Sequence, residues 1–259
     1  MRRVGRTFCT QARFRVVFMR HGESTWNLQN RFTGWTDVKL TPKGIQEAKD
    51  AGQKLAQNGF KFDLIYTSVL SRAIQTYNYA AEEMDCHYLP VVKDWRLNER
   101  HYGALQGLNK KETAEKHGEE QVKIWRRSFD IPPPALEPSD ARCPHQDIKY
   151  RGVDPAKLPL TESLKLTIDR VLPLWEQELT QSIKAGKNLL VVAHGNSLRA
   201  IVKHLDGISD ADIVELNIPT AIPLVYEFDE QLRPLKHYYL EDPEVLKEKM
   251  DSVKNQGKK

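Results

Sequence analysis

The chain has 259 residues, 40% hydrophobic and 29% charged, with 14 glycines and 14 prolines. This ordinary globular composition excludes a disordered tail protein, a collagen-like fibre and a disulfide-stapled mini-domain. Removing the five arginines of residues 1–15 from the 39 Lys and Arg leaves 34 against 35 Asp and Glu, a net of −1, so the body has no global attraction for nucleic acid.

Residues 1–13 read as a leader. Arg2, Arg3, Arg6, Arg13 and Arg15 precede the first acidic residue, Glu23, and Arg6-Thr7-Phe8-Cys9-Thr10 resembles an Arg-x-Phe processing site. This asymmetry predicts a mitochondrial transit peptide, with a cytoplasmic protein as the alternative. No apolar run reaches the roughly 20 residues of a membrane-spanning helix, so no membrane partner is expected. Cys9, Cys86 and Cys143 match no zinc or redox spacing, and a soluble protein in a reducing compartment is expected.

Residues 14–259 alternate strand-like and helix-like segments, which predicts one α/β domain. Its mostly parallel central sheet would carry helices on both faces. Phe14 to Met19 reads as a buried strand. Thr41 would cap a helix begun by Pro42, with Ile45, Ala48, Leu55 and Ala56 on its inner face and Gly59 at its end. Leu64–Thr67 is a second strand, followed by a helix carrying Arg72, Ile74 and Tyr77, and then a short strand at Val91 and Val92. Residues 188–193 hold an unbroken Leu-Leu-Val-Val run, as in the middle of a parallel sheet, followed by a helix over 198–205. Residues 224–228 form a late strand. Two segments interrupt this order: a polar helical and Pro-rich insertion over about 100–160, and a charged tail over about 240–259. Long irregular stretches of this kind are usually covers or binding loops. Helical spacing returns over 164–179, with a kink expected at Pro173.

Two of the eight histidines stand out by position. His21, in Arg20-His21-Gly22-Glu23, and His194, in Ala193-His194-Gly195-Asn196, each follow a buried strand directly. Strand carboxyl ends form the ligand crevice of an open α/β sheet, so both imidazoles should face one crevice, each followed by a Gly that permits close ligand approach. His87, His117, His145 and His237 read as surface residues, and His204 as packed or capping. No metal-ligand spacing accompanies the pair, and no metal is expected. The neighbours Arg20 and Arg72 are cationic, and arginine's planar fork suits phosphate oxygens. Imidazole among arginines at strand ends points to phosphate chemistry with a histidine nucleophile.

Arg20-His21-Gly22-Glu23-Ser24, Asn27, Arg31-Phe32-Thr33-Gly34-Trp35 and His194-Gly195-Asn196-Ser197 resemble the histidine phosphatase superfamily. The blocks Trp95 to Gly103, Lys123 to Arg127, Glu162 to Lys165 and Leu216 to Thr220 resemble its cofactor-dependent phosphoglycerate mutases in particular. The resemblance covers residues 14 to about 255. It implies that His21 is phosphorylated in each cycle, that Arg20, Arg72 and His194 surround the transferring phosphoryl group, and that Glu99 is the general acid and base. Local burial is expected of Glu99, for which an ion pair with Arg96 or Arg100 is the competing role. Asn27, Thr33, Gly34, Gly195 and Asn196 would contact the phosphoryl group and substrate backbone. Arg100, Tyr102, Lys110, Arg126 and Arg127 would grip a carboxylate and a distal phosphate, with Lys111 a solvated neighbour.

The implied activity is the glycolytic and gluconeogenic interconversion of 3-phosphoglycerate and 2-phosphoglycerate, primed by 2,3-bisphosphoglycerate without a metal. Minor synthase and phosphatase activities would accompany it, in a homodimer or homotetramer. Ser24 and Thr33-Gly34-Trp35 favour the mutase over a sister branch of bisphosphoglycerate synthases. Ala221 where Gly is usual, and Lys149 where Arg is expected, depart from the pattern. Fructose-2,6-bisphosphatase is a rival, but no Gly-x-x-x-x-Gly-Lys loop of a companion kinase is present. A non-catalytic binding protein on the same fold is another.

Overall fold

The computed structural model describes residues 12–254. The leader is therefore outside the described residues except at its end, where Arg13 N donates to Phe228 O at 2.7 Å. Residues 255–259 of the tail lie outside them too. Six strands form one sheet in the order β3-β2-β4-β1-β5-β6. They are β1 (Phe14–Arg20), β2 (Leu64–Thr67), β3 (Val91–Lys93), β4 (Leu189–Ala193), β5 (Leu224–Phe228) and β6 (Pro234–Tyr239). β1, β2, β3 and β4 pair in parallel, while β5 and β6 complete one side antiparallel. β6 has no counterpart among the strands expected from the sequence. Its Pro-Leu-Lys-His-Tyr-Tyr is half-buried or exposed, so it lacks the apolar run that marks the central strands.

Alternation along β1 divides the core in two. Val16 and Phe18 join Leu64, Leu189, Val191 and the helices after residue 164. Val17 and Met19 face the other way, onto α1 (Pro42–Gln57) and α2 (Ser71–Met84). The sheet is thus covered on both faces, as its continuous apolar strands require.

Thr41 caps α1 through Oγ1, which accepts from Gly44 N at 3.0 Å, with Pro42 in the first turn. The inner face is rotated from the expected one. Ala48 and Leu55 are buried, Ile45 is half-buried and Ala56 is exposed. Gly44, Glu47, Ala51 and Gly52 take the remaining inner positions. A β-carbon on Gly52 would lie 2.4 Å from Ala80 O, so α1 and α2 meet backbone to backbone there.

Residues 100–160 contain α3 (Lys110–His117), α4 (Glu119–Arg127) and short 3₁₀ turns. α5 (Leu164–Leu174) contains Pro173 and runs on through a π turn, Trp175–Leu179, into Thr180–Lys184. A π turn beside a proline is a recognised form of helix irregularity. α6 (Gly195–Asp206) follows β4, and α7 (Pro243–Lys254) is the tail. Ala221 has a φ of +46°, the left-handed region where glycine is free and other residues are strained, and it is buried. Lys149 pairs with Asp147 at 2.7 Å. Among the described residues no helix is long and apolar enough to cross a membrane.

Candidate active site

β1 and β4 are adjacent and parallel, with Arg20 opposite Ala193, so His21 and His194 leave the sheet side by side. His21 N donates to Ala193 O at 3.0 Å, and the two imidazole centroids are 5.0 Å apart. The chain leaves β1 toward β2 but leaves β4 toward β5, so the histidines stand at the switch point of the sheet. The glycines after them differ in purpose. Gly22 does not line the cavity; a β-carbon there would lie 2.3 Å from Gly44 O, so it admits α1 rather than a ligand. Gly195 does line the cavity, and a β-carbon on it would meet Arg20 Nε and Glu99 Oε2, each at 3.6 Å.

Hydrogen bonds orient both imidazoles. His21 Nδ1–H donates to Gly22 O at 2.6 Å, which leaves the Nε2 lone pair as the nucleophile. Arg72 Nε–H donates to that nitrogen at 3.3 Å, while its Nη1 and Nη2 donate to Thr36 O (3.0 Å) and Gly34 O (2.8 Å). Burial, with Arg72 and Arg20 nearby, holds the His21 pKa well below the usual histidine value, so the ring is neutral at pH 7. His194 is neutral for the same reasons, burial first and then Arg72. Its Nε2 pairs with Ser68 Oγ at 2.7 Å. Arg20 Nη1 is anchored on Ile218 O at 2.8 Å.

Glu99 is 8% exposed. Its Oε1 accepts from Arg100 N (2.8 Å) and Asn196 N (3.0 Å), whereas Arg96 pairs with Asp94 and Glu178. The carboxyl is thus held by backbone donors rather than by Arg96. Asn27 Oδ1 accepts from Ser24 N (3.1 Å) and Ser24 Oγ (2.8 Å), leaving its NH₂ donors for the cavity it lines.

These groups surround one cleft. His21, Glu99, Arg20, Arg72, Asn27, Thr33, Gly34, Tyr102, Lys110, Arg126, Arg127, Gly195 and Asn196 all line it. His194 and Arg100 stand behind the lining. Arg100 is 1% exposed, lies 4.5 Å over the Tyr102 ring and donates to Arg126 O at 2.9 Å, so it fixes α4 and Tyr102. Arg31, Phe32, Arg199, Leu216, Asn217, Ile218 and Val253 line the cleft without having been assigned a role from sequence. For Arg199 the signal was present: it follows Gly195 and Asn196 by one helical turn and shares their face of α6.

Two expected features are corrected. No residue of the Pro-rich stretch lines the cleft; Tyr150 and Leu158 pack with Trp35 behind the Glu99 loop, and Tyr150 Oη accepts from Asn98 Nδ2 at 2.9 Å. α3, α4 and Val253 of α7 supply the walls over the site instead. His204 is exposed in the last turn of α6 rather than packed. His87, His117, His145 and His237 are exposed, and Lys111 is exposed outside the cleft.

The far wall is a concentration of positive charge. Lys110 sits at the first position of α3, whose Asn109 cap leaves it at the positive end of the helix dipole. Burial, then Arg126, Arg20 and Arg127, lower its pKa to about 7. Burial and the neighbours Arg100 and Arg127 lower Arg199 to about 10. Nε of Arg20 and Nε of Arg199 are buried without a protein partner. Glu99 is the one carboxylate lining the cleft among the described residues. No group of three or more His, Cys, Asp or Glu among them is arranged to hold a metal ion. The arrangement suits transfer of a phosphoryl group between a histidine and an oxygen of an anionic molecule.

Similar folds are found in solved structures that include two phosphatases. A mycobacterial glucosyl-3-phosphoglycerate phosphatase in complex with VO3 is 21% identical, with 87% of this chain and 97% of that one covered at a TM-score of 0.65. An alpha-ribazole phosphatase from Shigella flexneri is 19% identical, covering 86% and 94% at 0.63. YhfR of Bacillus stearothermophilus is 22% identical, covering 83% and 91% at 0.62. At such identities the likeness is one of fold. The sequence itself matches the histidine phosphatase superfamily, branch 1, over residues 16–240, most of its length. With paired histidines at the ends of adjacent parallel strands, the chain belongs to that superfamily and is an enzyme of phosphoryl transfer through phosphohistidine.

Proposed function

We propose that this enzyme interconverts 3-phosphoglycerate and 2-phosphoglycerate, a glycolytic and gluconeogenic isomerisation primed by 2,3-bisphosphoglycerate. The observation that carries this reading is the second group of cations. Arg20 and Arg72 suffice for one phosphoryl group beside His21, yet Lys110, Arg126, Arg127 and Arg199 line the same cleft. Like charges gathered in a partly desolvated space raise the energy of the free protein, so they call for a ligand with further anionic groups. A phosphoglycerate has a carboxylate as well as its phosphate, and a bisphosphate adds a third anion.

The residues fit the bisphosphate. Arg20 and Arg199 offer buried Nε–H donors without protein partners. Lys110, Arg126 and Arg127 would hold the carboxylate and distal phosphate. When bound, 2,3-bisphosphoglycerate supplies the phosphoryl group that primes the enzyme.

His21 Nε2 attacks phosphorus in line with the departing substrate oxygen. The N–P bond forms as the P–O bond breaks, and Glu99 delivers its proton to that oxygen. Arg72 Nε–H then turns from the ring nitrogen to a phosphoryl oxygen, joining Arg20 and the backbone around Gly34. In the return half, Glu99 removes the proton from the attacking hydroxyl and the phosphoryl group leaves Nε2, restoring its lone pair. A substrate that exposes its other hydroxyl to phosphohistidine completes the isomerisation. Val253 helps to close the cleft against water, which would otherwise hydrolyse phosphohistidine.

The test follows 2-phosphoglycerate formation from 3-phosphoglycerate by enolase coupling, with and without 2,3-bisphosphoglycerate, beside a His21→Ala control. Bisphosphate-stimulated isomerisation should fall by on the order of 10⁴-fold or more in the control. Steady phosphate release with little isomerisation would replace this reading with that of a phosphatase for anionic phosphomonoesters.

A further inference from the structure

Behind Glu99 lies a buried ion pair that does not line the cleft. Arg170 of α5 and Glu162, just before that helix, have side chains 5% and 3% exposed. Arg170 Nε and Nη2 donate to Glu162 Oε1 and Oε2 at 2.6 and 2.8 Å. Its Nη1 also reaches Trp95 O (3.3 Å), Arg96 O (2.7 Å) and Asn98 O (3.2 Å), and Nη2 reaches Glu99 O (3.1 Å). Glu162 Oε2 accepts from His101 N at 2.8 Å, so the pair holds the backbone on both sides of residues 99 and 100. Trp35 completes the grip. Its Nε1–H donates to Glu99 O at 2.6 Å, and Arg170 lies 5.3 Å over its ring.

Stability alone does not account for this arrangement, because a buried ion pair often contributes no more than apolar residues of the same volume. What a guanidinium provides is a fixed fork of donors, here spread over four carbonyls of one irregular loop. That loop carries a carboxyl group whose work depends on placement. A misplacement of about 1 Å in a catalytic group can lower the rate roughly 100-fold.

We propose that Arg170, Glu162 and Trp35 form a positioning clamp that sets the Glu99 carboxyl against the substrate oxygen. The clamp controls proton transfer without touching substrate. It rests on the role of Glu99 as proton donor, and is independent of which phosphate ester is the natural substrate.

The experiment separates proton transfer from the rest of catalysis by leaving group. An alkyl oxygen needs a proton as it departs, whereas p-nitrophenolate departs without one. Single-turnover phosphorylation of His21 in the full chain is measured with ³²P-labelled 2,3-bisphosphoglycerate and glycerol 2-phosphate as alkyl donors. The burst of p-nitrophenolate from p-nitrophenyl phosphate gives the aryl rate. Arg170→Lys should lower the alkyl rates at least about tenfold and leave the aryl rate within about threefold, the pattern of a displaced acid. Trp35→Phe, which removes one donor to Glu99 O and keeps an aromatic ring, should shift the ratio in the same direction by less. It carries the test if Arg170→Lys fails to fold.

Equal losses on both donor classes, or none on either, would overturn the clamp. Glu99→Gln separates the two levels of inference. If it shifts the alkyl-to-aryl ratio while the clamp variants do not, the clamp alone fails. If it leaves the ratio unchanged, Glu99 is not the proton donor and the clamp falls with it. Labelling by glycerol 2-phosphate but not by the bisphosphate would overturn the mutase reading and leave the clamp standing or falling on its own ratio.

Discussion

At the phosphoryl end of the cleft, every guanidinium nitrogen of Arg72 is engaged, with His21, Gly34 and Thr36, and the two imidazoles follow the buried ends of adjacent parallel strands. At the other end, Lys110, Arg126 and Arg127 come from the helices of residues 110–127 and share the cleft with Arg199 of α6; burial first, and then neighbouring arginines, lower the pKa values of Lys110, Arg126 and Arg199. The first end is organised before substrate arrives; the second is strained until an anion neutralises it. Under the proposed function, chemistry belongs to the first end and recognition to the second.

Changing one cation at each end should separate these roles. Arg72→Lys removes the fork that spans two carbonyls and the nucleophile, and lysine cannot reproduce it. We expect a loss in kcat of about 10²–10³ with a smaller change in KM, as for other preorganised donors. Thermal unfolding should show a destabilisation of roughly 2 kcal/mol, because the Gly34 and Thr36 carbonyls lose a charged partner. Lys110→Met should act in the opposite sense on stability. KM for 3-phosphoglycerate should rise about 10- to 100-fold through the lost charged contact. The ligand-free protein should be stabilised by about 1 kcal/mol as repulsion is relieved. A fall in melting temperature for Lys110→Met would remove the strained-end interpretation.

The smallest effect is a pH dependence. The free Lys110 has a pKa of about 7, and a bound anion raises it. Binding above pH 7 therefore requires proton uptake. Affinity should be greatest below 7 and decline by up to about tenfold per pH unit above it, until the pKa of the complex is reached. Lys110→Arg, charged throughout, should flatten that decline. Calorimetry in buffers of different ionisation enthalpy would measure the proton directly, and zero uptake at pH 8 would contradict the assignment.

The legible parts of the chain were those with continuous physical signals. Apolar runs marked β1 and β4, and the histidines that follow them were found for that reason. Thr41-Pro42 marked the start of α1 because cap chemistry is local. β6 escaped because an exposed edge strand has no apolar run, and the face of α1 was misjudged because Gly44 and Gly52 are buried by close backbone approach, which side-chain hydrophobicity does not record. The sequence pattern suggests that Gly22 makes room for a ligand, whereas it makes room for α1. The motif places Arg100 among the ligand contacts, whereas its guanidinium lies over the Tyr102 ring behind the cleft lining, since motif position cannot distinguish a side chain facing a cleft from one behind it.

By itself the sequence determined the strand-end placement of His21 and His194, the cationic character of their surroundings and the superfamily. These follow from residue type and local pattern. Only the tertiary structure decided the tautomer of His21, the sharing of one cleft by α3, α4, α6 and α7, and the clamp behind Glu99. Each depends on residues far apart in the chain, or on which atom of a side chain finds a partner. Arg170 meets Trp95 and Trp35 only once α5, the Glu99 loop and the loop after β1 are packed together.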